Sequence, residues 1–463
     1  METRTLAFIT SACKGELLQG AATDQVRRVC TDSRQVQPGD LFFAIKGDRF
    51  DGHDFLEQVA GKGVAGVVIE RRLATLPNCP VILVPNVRQA LGRLGSSYRE
   101  DFALPIVAVG GSNGKTTTKD LIAAVLGEKF ETLASESSFN NDIGVPSSLL
   151  RLENSHQAAV FEVGTNHPGE LAPLVKLVQP KYGVITTIGR EHLEFFGDLP
   201  GVAAEEGWLA ELLPSEGKLF VNGDNEWTQR LAQRTRASVA LVGWSADNDW
   251  RAKWARPDTK GVTFRLEAPE AEISGEYRIN LLGRHQVTNA MFAIAVGREL
   301  GLTRVEIERG LAACEPAKMR LNFWEIHGVR VLDDAYNANA DSMLAALEVL
   351  QELPCKGRRV AVLGDMAELG THSAAAHAEI GRRAAELGIG QLFAVGKMAN
   401  VMAQGARDAG LNRVIEFSDV DTAGAAVKTF LKTGDVVLLK ASRSTQLERI
   451  AALLRANGNG KKH

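Results

Sequence analysis

The run Gly110-Gly111-Ser112-Asn113-Gly114-Lys115-Thr116-Thr117 places glycines, a lysine and hydroxyls within eight consecutive positions. Glycines let a backbone close around phosphate oxygens, and a helix opening behind them presents unpaired N–H groups to the same anion. Lys115 would neutralise the outer phosphates, and Thr116 would offer its hydroxyl to Mg2+. The long form of the motif asks for glycine at 109, where the chain has Val109, so what stands is the shorter G-x-x-G-K-T-T. A glycine turn with a chance lysine is the bland alternative. The flanks weigh against it. LPIVAVG (104–110) reads as a buried strand, and the following TTKDLIAAVLG puts Leu121, Ile122, Val125 and Leu126 on one helical face. ATP binding is the expectation.

Two more residues could serve a metal-assisted transfer. Glu162 ends the apolar part of AAVFEVG (158–164), and a carboxylate at a strand's C-terminal edge faces the crevice where α/β proteins hold ligands. A solvated strand-end glutamate is the alternative. His192 follows another strand-like run, YGVITTIG (182–189). Spacing alone leaves it open between a ligand and a hydrogen-bonded loop histidine.

These residues need a scaffold of alternating strands and helices. At 463 residues the chain exceeds one ordinary core, so two or three domains are expected. The first, 1–100, mixes short strand-like runs such as DLFFAI (40–45) and GVVIE (66–70) with turns. The second, 101–315, carries the phosphate loop and, over 246–280, a stretch of alternating polarity that reads as a small antiparallel insertion. The third, 316–463, alternates VRVLDDA, RRVAVLG, LFAVG and DVVLLKA with helix-like SMLAALEVLQEL, HSAAAHAEIGRRAAELG, KMANVMAQGARDAG and TQLERIAALLRA. That rhythm implies right-handed crossovers and a mainly parallel, doubly wound, Rossmann-like sheet. No G-x-G-x-x-G follows its first strand, so a nicotinamide cofactor is not indicated. The fold class is therefore α/β, and the tail NGNGKKH reads as frayed.

A formal net charge of −3 gives no global field for nucleic acid or an anionic membrane, so an anionic substrate needs a local site. Neither a secretory signal nor a bilayer-length apolar run is seen, which makes a cytoplasmic protein the expectation. Five scattered cysteines without a C-x-x-C pair argue against a disulfide framework or a structural zinc.

The order of GSNGKTT, Glu162 and His192, with Asn140-Asn141-Asp142-Ile143-Gly144-Val145-Pro146 and Gly283-Arg284-His285-Gln286-Val287-Thr288-Asn289-Ala290, resembles the Mur ligase family, the ATP-dependent amide ligases of peptidoglycan synthesis. Within it, Asp333–Asn339, LGDMAELG (363–370) and Lys440-Ala441-Ser442-Arg443 are similar to the member that adds D-alanyl-D-alanine to UDP-N-acetylmuramoyl-tripeptide. The DNPR segment usual in its neighbour is not found. The resemblance spans essentially the whole chain and implies a central P-loop ATPase-like domain between a UDP-substrate domain and the Rossmann-like one.

The resemblance also implies roles. ATP would phosphorylate the tripeptide carboxylate, and the dipeptide amine would displace phosphate. Gly111, Ser112, Asn113, Gly114, Lys115, Thr116 and Thr117 would cradle the nucleotide, and Asn289 would contact adenine. Arg320 would reach the γ-phosphate, and Asp334, Tyr336 and Asn337 would complete the nucleotide site. Thr116 and Glu162 would hold one Mg2+, and His192 would help hold a second. Ser33, Arg34, Lys46, Asp51, Asn140 and Asn141 would serve the UDP substrate. Lys440, Ser442 and Arg443 would take the dipeptide carboxylate, although a helix start capped by Ser442 explains them nearly as well. Convergence of two domains implies a closure that excludes water. A monomer is expected.

One departure stands out. The family carries a lysine, carbamylated by CO2, near its second metal, and a gap-free match of Gly201–Gly207 puts Glu206 there. Glutamate supplies a permanent charge with roughly 4 Å less reach, so it is expected to replace the carbamate as a catalytic and metal-facing group. A surface glutamate on a solvated helix is the alternative. Smaller departures are Gln286, Ala340 and Ala441. The competing functions are a sister ligase of the same family and a nucleotide-binding homologue without catalysis.

Overall fold

The computed structural model describes residues 1–47 and 50–456; the NGNGKKH tail lies outside the described residues. Three sheets of five, nine and six strands follow one another along the chain, beside a two-stranded ribbon near the N-terminus. The five-stranded sheet is built on Asp40–Phe43 and Gly66–Ile69, both fully buried, as their apolar runs require.

The nine-stranded sheet holds the phosphate loop at its centre. Ile106–Gly110 lies between Ala158–Glu162 and Tyr182–Ile185, parallel to both. In register, Glu162 pairs with Val109 and Ile185 with Gly110. All three strands thus end at one level, and the loops that leave them open onto the same crevice. The alternating stretch after residue 246 is antiparallel, with strands Trp250–Asp258, Gly261–Glu267 and Gly275–Ile279. It is not a separate insertion, because Trp250–Asp258 pairs with Ser238–Gly243 and the three strands prolong the main sheet. On one face of this sheet the helix Lys115–Leu126 packs with His285–Glu299 and Arg304–Ala313.

In the six-stranded sheet, Val329–Asp333, Val436–Lys440, Arg359–Gly364, Gln391–Val395 and Val414–Phe417 run parallel, and Asn322–Ile326 is antiparallel at the edge. Alternate residues feed two cores. Ala361 and Leu363 face the helices Ala340–Glu352, Ser373–Glu386 and Ala399–Asp408, while Val360 and Val362 face Val420–Phe430 and Glu448–Arg455. Helices on both faces make the sheet doubly wound. The last helix begins at Glu448 instead of Thr445, because Gln446 adopts φ +59° and ends a short 3-10 turn.

All five cysteines are unpaired, and four are buried. Among the described residues no helix is long and apolar enough to cross a membrane.

Candidate active site

The phosphate loop is shaped by its glycines and pinned from the neighbouring strand. Gly114 has φ +85°, and a Cβ there would lie 2.6 Å from the Asn289 Oδ1. Only glycine fits that turn without strain. The Ser112 N–H donates to the Thr187 carbonyl at 2.8 Å, and the Gly189 N–H donates to the Ser112 hydroxyl at 2.8 Å. Behind the loop the helix opens at Lys115.

Lys115 folds back over its own loop. Its ammonium donates to the Gly111 carbonyl, to the Ser112 carbonyl at 3.3 Å and to Glu191 Oε2 at 3.3 Å. Burial disfavours that charge, but Glu191, Glu206 and Glu162 outweigh it and raise the lysine above its usual range. The next residue turns the other way. The Thr116 hydroxyl donates to Glu162 Oε2 at 2.8 Å, and Asn140 Nδ2 donates to Glu162 Oε1 at 2.8 Å. Glu162 is 1% exposed and has a partner on each oxygen.

The C-terminal domain closes the other wall. Asn339 Nδ2 donates to Asn113 Oδ1 at 3.0 Å, directly onto the phosphate loop. His192, left-handed at φ +48°, turns its Nδ1 onto Glu368 Oε2, whose carboxyl that contact holds below its usual range. Arg190 pairs with Asp341 and Glu379. The walls enclose a cleft of about 920 Å3.

Most of the expected residues meet in this cleft. Ser112 through Thr117, Asn140, Glu162, His192 and Asn289 line it from the central domain. Arg320, Asp334, Tyr336, Asn337, Lys440, Ser442 and Arg443 line it from the chain beyond. The Arg320 guanidinium sits 4.4 Å over the Tyr336 ring. Lys440 donates to Asp334 and to the Asn337 carbonyl, and Ser442 links the Ala338 carbonyl with the Ala367 N–H. Those two are engaged internally. Arg443 is exposed and pairs with Glu448.

Other expected residues lie elsewhere. Glu206 does not line the cleft. It is buried behind the loop, where its Oε2 accepts the Gly111 N–H at 2.6 Å and its Oε1 has no hydrogen-bond partner. Burial pushes its carboxyl up to about 8, against the pull of Lys115. Asn141 caps a turn, accepting from the Gly144 N–H at 2.9 Å. On the N-terminal domain, Arg34 forks onto Asp32, and Asp51 is held by His53 and Arg71. Lys46 bridges Asp51 through the backbone, and the Ser33 carbonyl accepts from Lys62.

Sequence reasoning missed Arg190, Glu191, His285 and Glu368. Glu191 could have been found as a carboxylate one position before His192. His285, exposed in the cleft, lines it together with Asp334 and Lys440.

Three family models match in succession. They are the Mur ligase family catalytic domain over 25–99, the Mur ligase middle domain over 109–297 and the Mur ligase glutamate ligase domain over 319–443. The UDP-N-acetylmuramoyl-tripeptide–D-alanyl-D-alanine ligase of Escherichia coli strain K12 is 36% identical, over 98% of this chain and 99% of the relative. Its Bacillus subtilis strain 168 namesake is 34% identical, over 96% and 97%. A crystal structure of MurF from Acinetobacter baumannii superposes with a TM-score of 0.90 at 32% identity, covering 99% of this chain and all of the other. The MurF ligase of Thermotoga maritima, solved in complex with ADP, gives 0.81 at 26% identity over 93% and 97%. Matched over most of its length by three successive family models and over nearly all of it by relatives at a third identity, the chain belongs to the Mur ligase family of ATP-dependent amide ligases.

Proposed function

We propose that this chain joins D-alanyl-D-alanine to UDP-N-acetylmuramoyl-tripeptide in the cytoplasm, consuming ATP in peptidoglycan precursor synthesis. The observation that carries the reading is the single cleft in which Lys115, Thr116 and Glu162 face Arg320, Asp334 and Tyr336. A free carboxylate is a poor electrophile, so the tripeptide carboxylate first takes the γ-phosphoryl group of ATP. The dipeptide amine then attacks the acyl carbon, the acyl–oxygen bond breaks and phosphate leaves.

In this reading Lys115 and the loop N–H groups offset charge on the outer phosphates, and Arg320 reaches the transferring group. Thr116 and Glu162 present hydroxyl and carboxylate oxygens into the cleft, donors suited to a hard cation. No cluster of three His, Cys, Asp or Glu ligands occurs among the described residues, which fits Mg2+ held by one or two side chains together with phosphates. That ion would neutralise charge on the phosphoryl oxygens. His192 stands across the same cleft for a second ion. Arg443 is the cation left to meet the dipeptide carboxylate, with Lys440 bracing Asp334. Ser33, Arg34, Lys46 and Asp51 would meet the UDP end. Glu206, at the position of the family's carbamylated lysine, would act through the loop by holding Gly111.

The test is phosphate release from ATP with both substrates, omitting each in turn, with the product weighed by mass spectrometry. Release that needs both, with a UDP-N-acetylmuramoyl-pentapeptide product, is expected. Release with another amine would move the chain to a sister reaction, and folded protein that binds ATP without release would overturn the ligase reading.

A further inference from the structure

Glu191 is unassigned by the reaction described above, yet it lies buried in the cleft against the phosphate-loop lysine. Its Oε2 is 3.3 Å from Lys115 Nζ. Among the described residues it is the one acidic side chain paired with that ammonium, since Glu162 is held by Thr116 and Asn140, and Glu206 by Gly111. The other two lysine partners are the neutral carbonyls of Gly111 and Ser112. An ammonium has three protons. All three are accounted for, and none is aimed at an incoming ligand.

The position of Glu191 is fixed from both sides. Arg190 is clamped by Asp341 and Glu379, and His192 by Glu368, all from the C-terminal domain. Between two anchored neighbours the glutamate has little freedom to follow the lysine if it swings away.

We propose that Glu191 is a positioning residue that holds Lys115 in a nucleotide-free rest position, so that a triphosphate must displace its carboxylate to engage the lysine. The inference rests on the nucleotide reading of this cleft. A charge-assisted contact in a buried setting is stronger than its length in water would suggest. Removing the charge while keeping the shape should therefore make the lysine more available, and nucleotide binding tighter.

The experiment is calorimetric titration of the full-length protein with ATP in EDTA, which leaves the contributions of divalent ions out. Glu191→Gln is expected to bind about 3- to 10-fold more tightly than wild type, which is about 0.7–1.4 kcal/mol. A gain in affinity is not something a misfolded variant produces. In a Lys115→Met background the same substitution should change nothing; equal tightening there would mean simple repulsion of the nucleotide by Glu191 and would overturn the proposal. Labelling of Lys115 by acetic anhydride in the nucleotide-free protein, read by mass spectrometry, decides independently. Faster labelling in Glu191→Gln supports the rest position, and unchanged labelling overturns it. Wild type that binds ATP while Glu191→Gln binds no tighter overturns this inference alone, whereas wild type that binds no ATP overturns the nucleotide reading as well.

Discussion

Arg190 and Asp341 join the central and C-terminal domains through both side chain and backbone: the Arg190 Nε donates to Asp341 Oδ1 at 2.7 Å, and the Arg190 N–H donates to Asp341 Oδ2 at 2.7 Å. Glu379 adds a second carboxylate at 2.6 Å. The pair is half-buried and charge-assisted, so its loss should cost about 1.5–3 kcal/mol of the closed arrangement. Arg190→Ala is expected to lower kcat/KM at least tenfold and to increase the radius of gyration in small-angle scattering. Unchanged scattering and kinetics would show that closure does not depend on this contact.

Glu162 should set the metal requirement. Glu162→Gln keeps the shape and can keep both neighbours, its oxygen accepting from Asn140 and its NH2 donating to a turned Thr116 hydroxyl, but removes the charge offered to a cation. We expect kcat to fall a hundredfold or more, in the range of lost electrostatic stabilisation. The Mg2+ concentration for half-maximal phosphate release should rise as well. ATP affinity in EDTA should change little, and a loss of nucleotide binding there would assign Glu162 to the loop instead of the ion.

If Glu206, buried behind the phosphate loop with the Gly111 N–H as its partner, stands in for the carbamylated lysine, no carbamylation is needed there. Phosphate release should therefore be the same in CO2-depleted buffer and in buffer with added bicarbonate. Glu206→Ala should slow the reaction, because the buried Gly111 N–H would lose its acceptor. An unchanged rate in Glu206→Ala would sink the proposed role.

The same carboxyl should leave a mark on stability. Burial raises it from 4.5 to about 8, with Lys115 opposing and Glu191 and Glu205 adding to the rise. The folded protein then keeps a proton that the unfolded chain releases above about pH 4.5. The stabilisation is fully present below that value and is lost as pH rises through about 8. Glu206→Gln cannot titrate, so its melting temperature should fall less than that of wild type between pH 5 and pH 8.5. The ceiling on the difference in slope is about 1.4 kcal/mol per pH unit. Parallel curves would mean that Glu206 does not titrate in this window.

What could be read in the sequence followed from local chemistry. The phosphate loop was legible because a glycine run, a lysine and two apolar flanks occur together within some twenty residues. Glu162 was legible as a strand-end carboxylate, and the register with Val109 is what brings it beside Thr116. The strand Val414–Phe417 was not visible, since it sits half-exposed at a sheet edge and carries no apolar run. Nor was the helix Val420–Phe430, whose alanines and glycine give a weak apolar stripe. Arg190 and Glu191 escaped for a different reason: their partners lie on other loops or in another domain, at separations no periodicity records.

The three antiparallel strands that prolong the nine-stranded sheet also settle how that sheet ends. An open row of backbone N–H and C=O groups invites another chain to dock by pairing. Here the last strand, Gly275–Ile279, points Glu276 and Arg278 outward, and Arg304 from the neighbouring helix donates to the Ser274 and Glu276 carbonyls. The opposite margin is only the three-residue Thr132–Ala134. A long unprotected edge strand is an aggregation hazard, and both rims are blunted here, one by charge and the Arg304 side chain of the neighbouring helix and the other by brevity.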